Sequence, residues 1–184
     1  MRLVRPALEH LPSYEAALRR DWSPDNVRRL EATREELAEI GKDAPLFLER
    51  LVDREAAGGP ITLLDGSRVP RLPGYRLWMW DGEFCGSIGF RWQPGTSALP
   101  VHVLGHIGYA VVPWKQRMGY ATRALALMLG EARKEGLEFV ELTTDADNVP
   151  SQKVVLANGA VEVGRFTKPA HLGGAPSLRY RIAL

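Results

Sequence analysis

The chain has 184 residues, 45% of them hydrophobic and 25% charged, with a formal net charge of +2, which supplies one substantial core without disulfides or metal. Mixed charge with so small a basic excess argues against nucleic acid as a partner. No run approaches the roughly 20 apolar residues that span a bilayer, and residues 1–6 lack an apolar leader core, so a cytoplasmic single domain over residues 1–184 is expected, with no membrane partner.

Residues 3–5 read as a short strand, and Leu11, Tyr14 and Leu18 give residues 9–20 the spacing of an amphipathic helix. Trp22 follows that helix in Asp21-Trp22-Ser23-Pro24, where exposure is expected. Residues 26–57 predict two helical pieces broken at 41–45. Glu31, Glu35, Glu36 and Glu39 stand there beside Arg28, Arg29 and Arg34, the pattern of a solvated face more than of an attractor for a cationic amine. Residues 58–74, with Pro60, Gly66, Pro70 and Pro73, read as a loop. Residues 75–80 and 84–92 then form a hairpin through Asp81-Gly82. Trp78 and Trp80 share a strand face in it and read as core more than as a substrate wall. Cys85, the sole cysteine, lies in the apolar run 84–90 and reads as a buried structural thiol. One cysteine forms no intramolecular disulfide and no thiolate-rich metal site, and no metal is expected.

Residues 105–113 form an extended apolar stretch that runs into Gln116-Arg117-Met118-Gly119-Tyr120-Ala121 and then into a helix over 119–135. Ala121, Leu125, Met128, Leu129 and Ala132 mark its core face, and Gly136 ends it. A strand entering a glycine turn and a helix leaves first-turn N–H groups aimed at the turn, a natural anion site. Arg117 adds charge there, and Gly119 lets an oxygen approach the backbone. The turn lacks the Gly-Lys-Ser/Thr ending of a P-loop and the three glycines of a dinucleotide fold. Downstream come a β-rich run over 139–144, Asn148-Val149-Pro150-Ser151 opening a short helix that ends in Asn158-Gly159, and strands at 161–166 and 178–184.

Gln116, Gly119 and Ala121 stand at the three defining positions of Gln/Arg-x-x-Gly-x-Gly/Ala, and this segment resembles motif A of the GNAT superfamily of N-acetyltransferases. Asn148 and Ser151, with the helix ending in Asn158-Gly159, resemble its motif B. The element order of nearly the whole chain is similar to that family, with the specific motifs confined to residues 105–160. Within that window the Gly-His-Ile-Gly-Tyr strand from Gly105 to Tyr109 resembles a bacterial group of predicted acetyltransferases. The resemblance implies an α/β fold of three layers, with a mixed, mostly antiparallel sheet splayed between its fourth and fifth strands. It implies transfer of acetyl from acetyl-CoA to an amine by direct attack in a ternary complex. The acceptor would be a small molecule, an amino acid or a protein N-terminus, and family members often form homodimers.

The resemblance also assigns tasks. Gln116, Arg117, Met118, Gly119, Tyr120, Ala121 and Thr122 would hold the pyrophosphate. Free backbone groups near Val111 and Val112 would pair with the pantetheine arm, with an N–H at or near Val112 polarising the thioester. Asn148 and Ser151 would flank the arm, although helix capping explains Asn148 as well as that role does and explains Ser151 better. His106 is the first candidate for the base, with Tyr109 and Glu141 behind it, since strand alternation puts His106 and Tyr109 on opposite faces. A hydrogen-bonded core histidine is the other reading of His106. One position departs from the pattern: Val155 stands where many members carry the tyrosine that protonates the leaving thiolate. That leaves a non-catalytic acyl-CoA-binding module as the alternative, and a binder of another phosphate ligand as a further one.

Overall fold

The computed structural model describes residues 1–63 and 66–184. Ten strands and five helices follow in the order β1 (Arg2–Val4), α1 (Leu11–Leu18), α2 (Arg29–Lys42), α3 (Ala44–Arg50), β2 (Val52–Asp53), β3 (Ile61–Thr62), β4 (Arg68–Val69), β5 (Gly74–Trp80), β6 (Phe84–Arg91), β7 (Ile107–Val111), α4 (Tyr120–Lys134), β8 (Phe139–Asp145), α5 (Val149–Leu156), β9 (Val161–Thr167) and β10 (Pro176–Ala183). The main sheet runs β1-β5-β6-β7, with β2 also on β5, and a second sheet runs β8-β10-β9. All of these pairs are antiparallel.

Period-two alternation in β5 sorts two cores onto opposite faces of the sheet. Tyr75, Leu77 and Met79 join the α4 stripe of Ala124, Leu125, Met128, Leu129 and Ala132. Trp78 and Trp80 join Leu11, Tyr14, Leu18, Ile40 and Phe47 from α1 to α3. Trp78 is thus core, stacked on Tyr14 with centroids 4.5 Å apart. Cys85 is fully buried, and burial pushes its thiol up to about 12, as a structural role requires.

Three sequence expectations change. Trp22 is 4% exposed rather than open: its backbone N–H donates to the Ala17 carbonyl as α1 ends, and the ring lies edge-on to Phe84 at 4.9 Å. Residues 58–74 hold a small hairpin, Ile61 opposite Val69 and Thr62 opposite Arg68; of the expected loop, Leu64 and Asp65 lie outside the described residues. The acidic face of α2 is solvated at Glu35, which pairs with Arg28 at 2.9 Å, but Glu36 turns inward. It accepts from Arg76 at 2.9 Å and from the Tyr14 hydroxyl, beneath the first helix. The break between α2 and α3 falls at Asp43, whose carboxylate accepts from the Leu46 N–H at 2.9 Å and caps α3.

Candidate functional site

The two sheets meet at one point and then diverge. The His106 N–H donates to the Glu141 carbonyl at 2.8 Å, while the His106 carbonyl accepts from the Arg91 N–H at 2.9 Å. Its Nδ1 accepts from the Glu141 N–H at 2.9 Å. Gly105 permits this approach, since a Cβ there would lie 3.0 Å from the Glu141 carbonyl oxygen. Beyond this clasp β7 and β8 belong to separate sheets, and the gap between them opens into a cleft of about 1390 Å³.

Register decides which main-chain groups face that gap. The Val112 N–H donates to the Cys85 carbonyl at 2.9 Å, and Gly86 lies opposite Val111. In an antiparallel ladder alternate residues face the partner strand, so Gly108, Ala110 and Val112 bond toward β6, and Tyr109 and Val111 present N–H and C=O to the open edge. Of the positions at or near Val112 that the resemblance implied, Val112 itself is therefore committed to β6. Val111 is the neighbour with the right aspect.

At the far end of the cleft, β7 passes through a short turn at Pro113–Lys115 into residues 116–119. Arg117 and Gly119 both take left-handed backbone, φ 63° and 74°. For arginine this is an uncommon conformation, and such a pair curls successive N–H groups into an anion-binding concavity. Gly119 caps α4 without a side-chain partner, and a Cβ on it would meet nothing within 4 Å, so the space above it is open. The first-turn N–H groups of Tyr120, Ala121 and Thr122 have no partner within the helix. Gln116, Arg117 and Met118 are exposed around them.

The turn is braced from behind. Lys115 Nζ donates to Asp81 at 3.0 Å and contacts Glu83 at 2.8 Å, and the Tyr120 hydroxyl donates to Asp81 at 2.6 Å. Burial raises the Asp81 pKa, but the Tyr120 and Lys115 hydrogen bonds outweigh it and hold the carboxyl well below the usual range. Tyr120 thus serves the brace with its phenol and the cleft with its backbone. On the opposite wall Asn158 donates to the Thr122 carbonyl at 3.2 Å and to Val154 at 2.9 Å, tying the end of α5 to the start of α4.

Asn148 caps α5, accepting from the Ser151 N–H at 3.1 Å. The capping reading is thereby met, and both residues also line the cleft. The Ser151 Oγ lies 2.9 Å from the Tyr109 hydroxyl, which reaches across from β7. Burial raises the Tyr109 pKa against the lowering effect of Ser151, so the phenol keeps its proton at neutral pH. Val155 is fully buried and offers only a methyl wall.

His106 lies outside this arrangement. It is 0% exposed and does not line the cleft. Burial lowers its pKa to about 4, against the opposing pull of Glu141. With Nδ1 accepting from a backbone N–H, it acts as the neutral pin of the splay rather than as a base. Glu141 is likewise committed, to Arg181 at 2.7 Å and Arg179 at 3.8 Å. Among the described residues no cluster of histidine, cysteine or carboxylates could hold a metal. No helix among them is long and apolar enough to cross a membrane.

Sequence reading missed the α1–α2 connection, where Asp21, Ser23, Asp25, Asn26 and Arg28 close the cleft mouth. It also missed Lys115. Neither carries a motif, although Lys115 stands only one residue before the glycine turn.

The sequence matches the model of the acetyltransferase (GNAT) family over residues 16–159. No curated protein matches it. Among solved structures, RimL, a ribosomal L7/L12 alpha-N-protein acetyltransferase in complex with coenzyme A, is 16% identical with a TM-score of 0.67, over 99% of this chain and 93% of that one. The microcin C7 self-immunity acetyltransferase MccE, in complex with acetyl-CoA and AMP, is 15% identical with a TM-score of 0.65, over 99% and 91%. Mycobacterium smegmatis RimJ, in complex with CoA-disulfide, is 21% identical with a TM-score of 0.63, over 98% and 80%.

Proposed function

Because this chain belongs to the acetyltransferase (GNAT) family and so moves the acetyl group of acetyl-CoA to an amine, we propose that the donor lies along the open edge of β7. Its pyrophosphate would sit on residues 116–122, and the amine would arrive from the side of the α1–α2 connection. The observation that carries this is the single cleft in which the outward main chain of Tyr109 and Val111 leads to the left-handed Arg117 and Gly119. The donor supplies an activated thioester; the protein supplies position, polarity and protons. The Val111 N–H would bond the acetyl carbonyl, and Arg117 with the first-turn N–H groups of α4 would bond the phosphates.

Proton transfer rests on the hydroxyl pair. Tyr109 and Ser151 bring a protonated phenol and a hydroxyl to the wall where Val155 has none, so they would donate to the departing sulfur and recover the proton that the attacking nitrogen loses as it becomes the amide. No histidine faces the cleft among the described residues. Of its carboxylates, Asp25 and Asp145 already serve the Arg28 N–H at 2.9 Å and Ser177 at 3.1 Å, and Asp21 is exposed to solvent at the mouth. The amine would therefore enter as its free base, losing its proton to solvent. RimL is named for a protein α-amino group, which keeps a protein N-terminus beside small amines as acceptor. A donor drawn from central metabolism supports a cytoplasmic setting.

The test is calorimetric titration of acetyl-CoA and free coenzyme A, followed by amine-dependent thiol release. Micromolar binding with release that rises with pH along the amine's own titration is expected. An enzyme pKa near 6 to 7 in kcat/KM would point to a base instead.

A further inference from the structure

Across β7 lies a second hollow of about 390 Å³, on the face of the main sheet that α1 and α2 cover. It shares Asn26, Gly108, Tyr109 and Ala110 with the donor cleft, so β7 is the common wall. Register lays out its floor: Ala110 lies opposite Ser87 and Gly108 opposite Gly89, and Gly89 lies opposite Arg76. Paired residues share a face, as do residues two apart on a strand. The floor is therefore Ser87, Gly89, Gly108 and Ala110, small enough to leave a trough, with Arg76 and Arg91 along its side. A Cβ on Gly108 would meet nothing within 4 Å.

The hollow is basic, and most of its charge is already answered. Arg76 pairs with Glu36 at 2.9 Å, Arg71 donates to the Gly59 carbonyl at 2.9 Å, and Arg50 lies 3.7 Å from Glu39. Arg91 has neither an ion pair nor a side-chain hydrogen bond among the described residues. As a residue it is open to solvent, yet the protein around its guanidinium, and then Arg76, hold that group below its ordinary pKa. A cation so placed has five uncommitted donors in a fork that suits a carboxylate or a phosphate.

We infer that this hollow seats the acceptor and that Arg91 reads an anionic group, carboxylate or phosphate, carried several bonds away from the amine. This rests on the reading that the amine meets the donor from this side of β7. Arg91 stands one strand over and five residues beyond the partner of Val111, roughly 17 Å at the backbone, so an α-carboxylate beside the amine is too close to reach both ends. The acceptor class is an amine with a distal acid.

Two measurements on the full chain test it. Glutarate and inorganic phosphate are titrated into coenzyme-A-saturated protein, comparing wild type with Arg91→Gln and Arg91→Lys. In parallel, kcat/KM is compared within matched pairs, 6-aminohexanoate against hexylamine and phosphoethanolamine against ethanolamine. One of the two anions should bind to wild type, about tenfold more weakly to Arg91→Gln, with partial recovery in Arg91→Lys. The acid-bearing amine of the same kind should be the better acceptor by a similar factor, and Arg91→Gln should abolish that preference while the amine lacking the acid is unaffected. Absence of anion binding, or equal binding to Arg91→Gln, would overturn the inference. Arg91-dependent binding with no preference between paired amines would overturn the acceptor role and the side of entry together. Failure to release thiol with any amine, with coenzyme A bound, would instead count against the proposed transfer chemistry.

Discussion

The two faces of β7 recognise by different means. Toward α4 and α5 the cleft is built from backbone: the outward N–H and C=O of Tyr109 and Val111, two left-handed residues, and the first turn of a helix. Toward α1 and α2 the hollow is built from side chains that register places side by side, Arg76 next to Gly89 and Arg91 one row on. Backbone recognition suits a group that every member of a family binds, because it depends on conformation and tolerates most side chains. Side-chain recognition suits a group that differs from member to member.

The comparison can be broken first at the point where the faces join. His106 has a folded pKa of about 4, below its ordinary 6.5. As pH falls the unfolded chain takes the proton first, so stability is full above 6.5 and declines between 6.5 and 4, by about 3 kcal/mol from this group. Chemical denaturation across that range should show the loss in wild type and a shallower slope in His106→Asn, with catalysis at neutral pH retained by whatever fraction stays folded. A slope unchanged by the substitution would remove His106 from the clasp.

A second cut tests the donor face alone. Tyr109→Phe deletes the hydroxyl without changing the wall, and kcat should fall about a hundredfold while the affinity for acetyl-CoA stays the same. Equal loss in both would mean that the phenol binds rather than donates. Gly119→Val should weaken acetyl-CoA about tenfold, since a β-branched residue resists φ 74°, and should leave anion binding at Arg91 intact. The smallest effect is expected of Asp81→Ala, which frees Lys115 and Tyr120 from behind the turn: a few-fold rise in the dissociation constant for coenzyme A, read by calorimetry.

The same contrast governs what the sequence could reveal. The turn at residues 116–121 was legible because Gly119 and the flanking strand and helix are local features, and the strands of both sheets were legible from alternation except β2, which fell inside the helical reading of residues 26–57. His106 was visible as a histidine on a strand, but its role depends on Glu141, which lies 35 residues away. That the free N–H is Val111 and not its neighbour Val112 was not legible, because ladder parity is fixed by the partner strand at Cys85, not by the motif. Trp22 and Glu36 were read as outward-facing because helix and loop periodicity carry no knowledge of Phe84 and Arg76. Arg91 could have been found, since Ser87, Gly89 and Arg91 alternate on one face, but nothing local says that this face borders a cleft.

The most direct test of a donor confined to one side of β7 is a backbone-amide chemical-shift map of the labelled protein on adding acetyl-CoA. The account predicts large shifts at Tyr109, Val111, Gly119, Tyr120, Ala121 and Ser151, with Gly89 and Arg91 nearly still until an anion is added. Large shifts at Gly89 and Arg91 from acetyl-CoA, with the 116–122 turn unmoved, would contradict it.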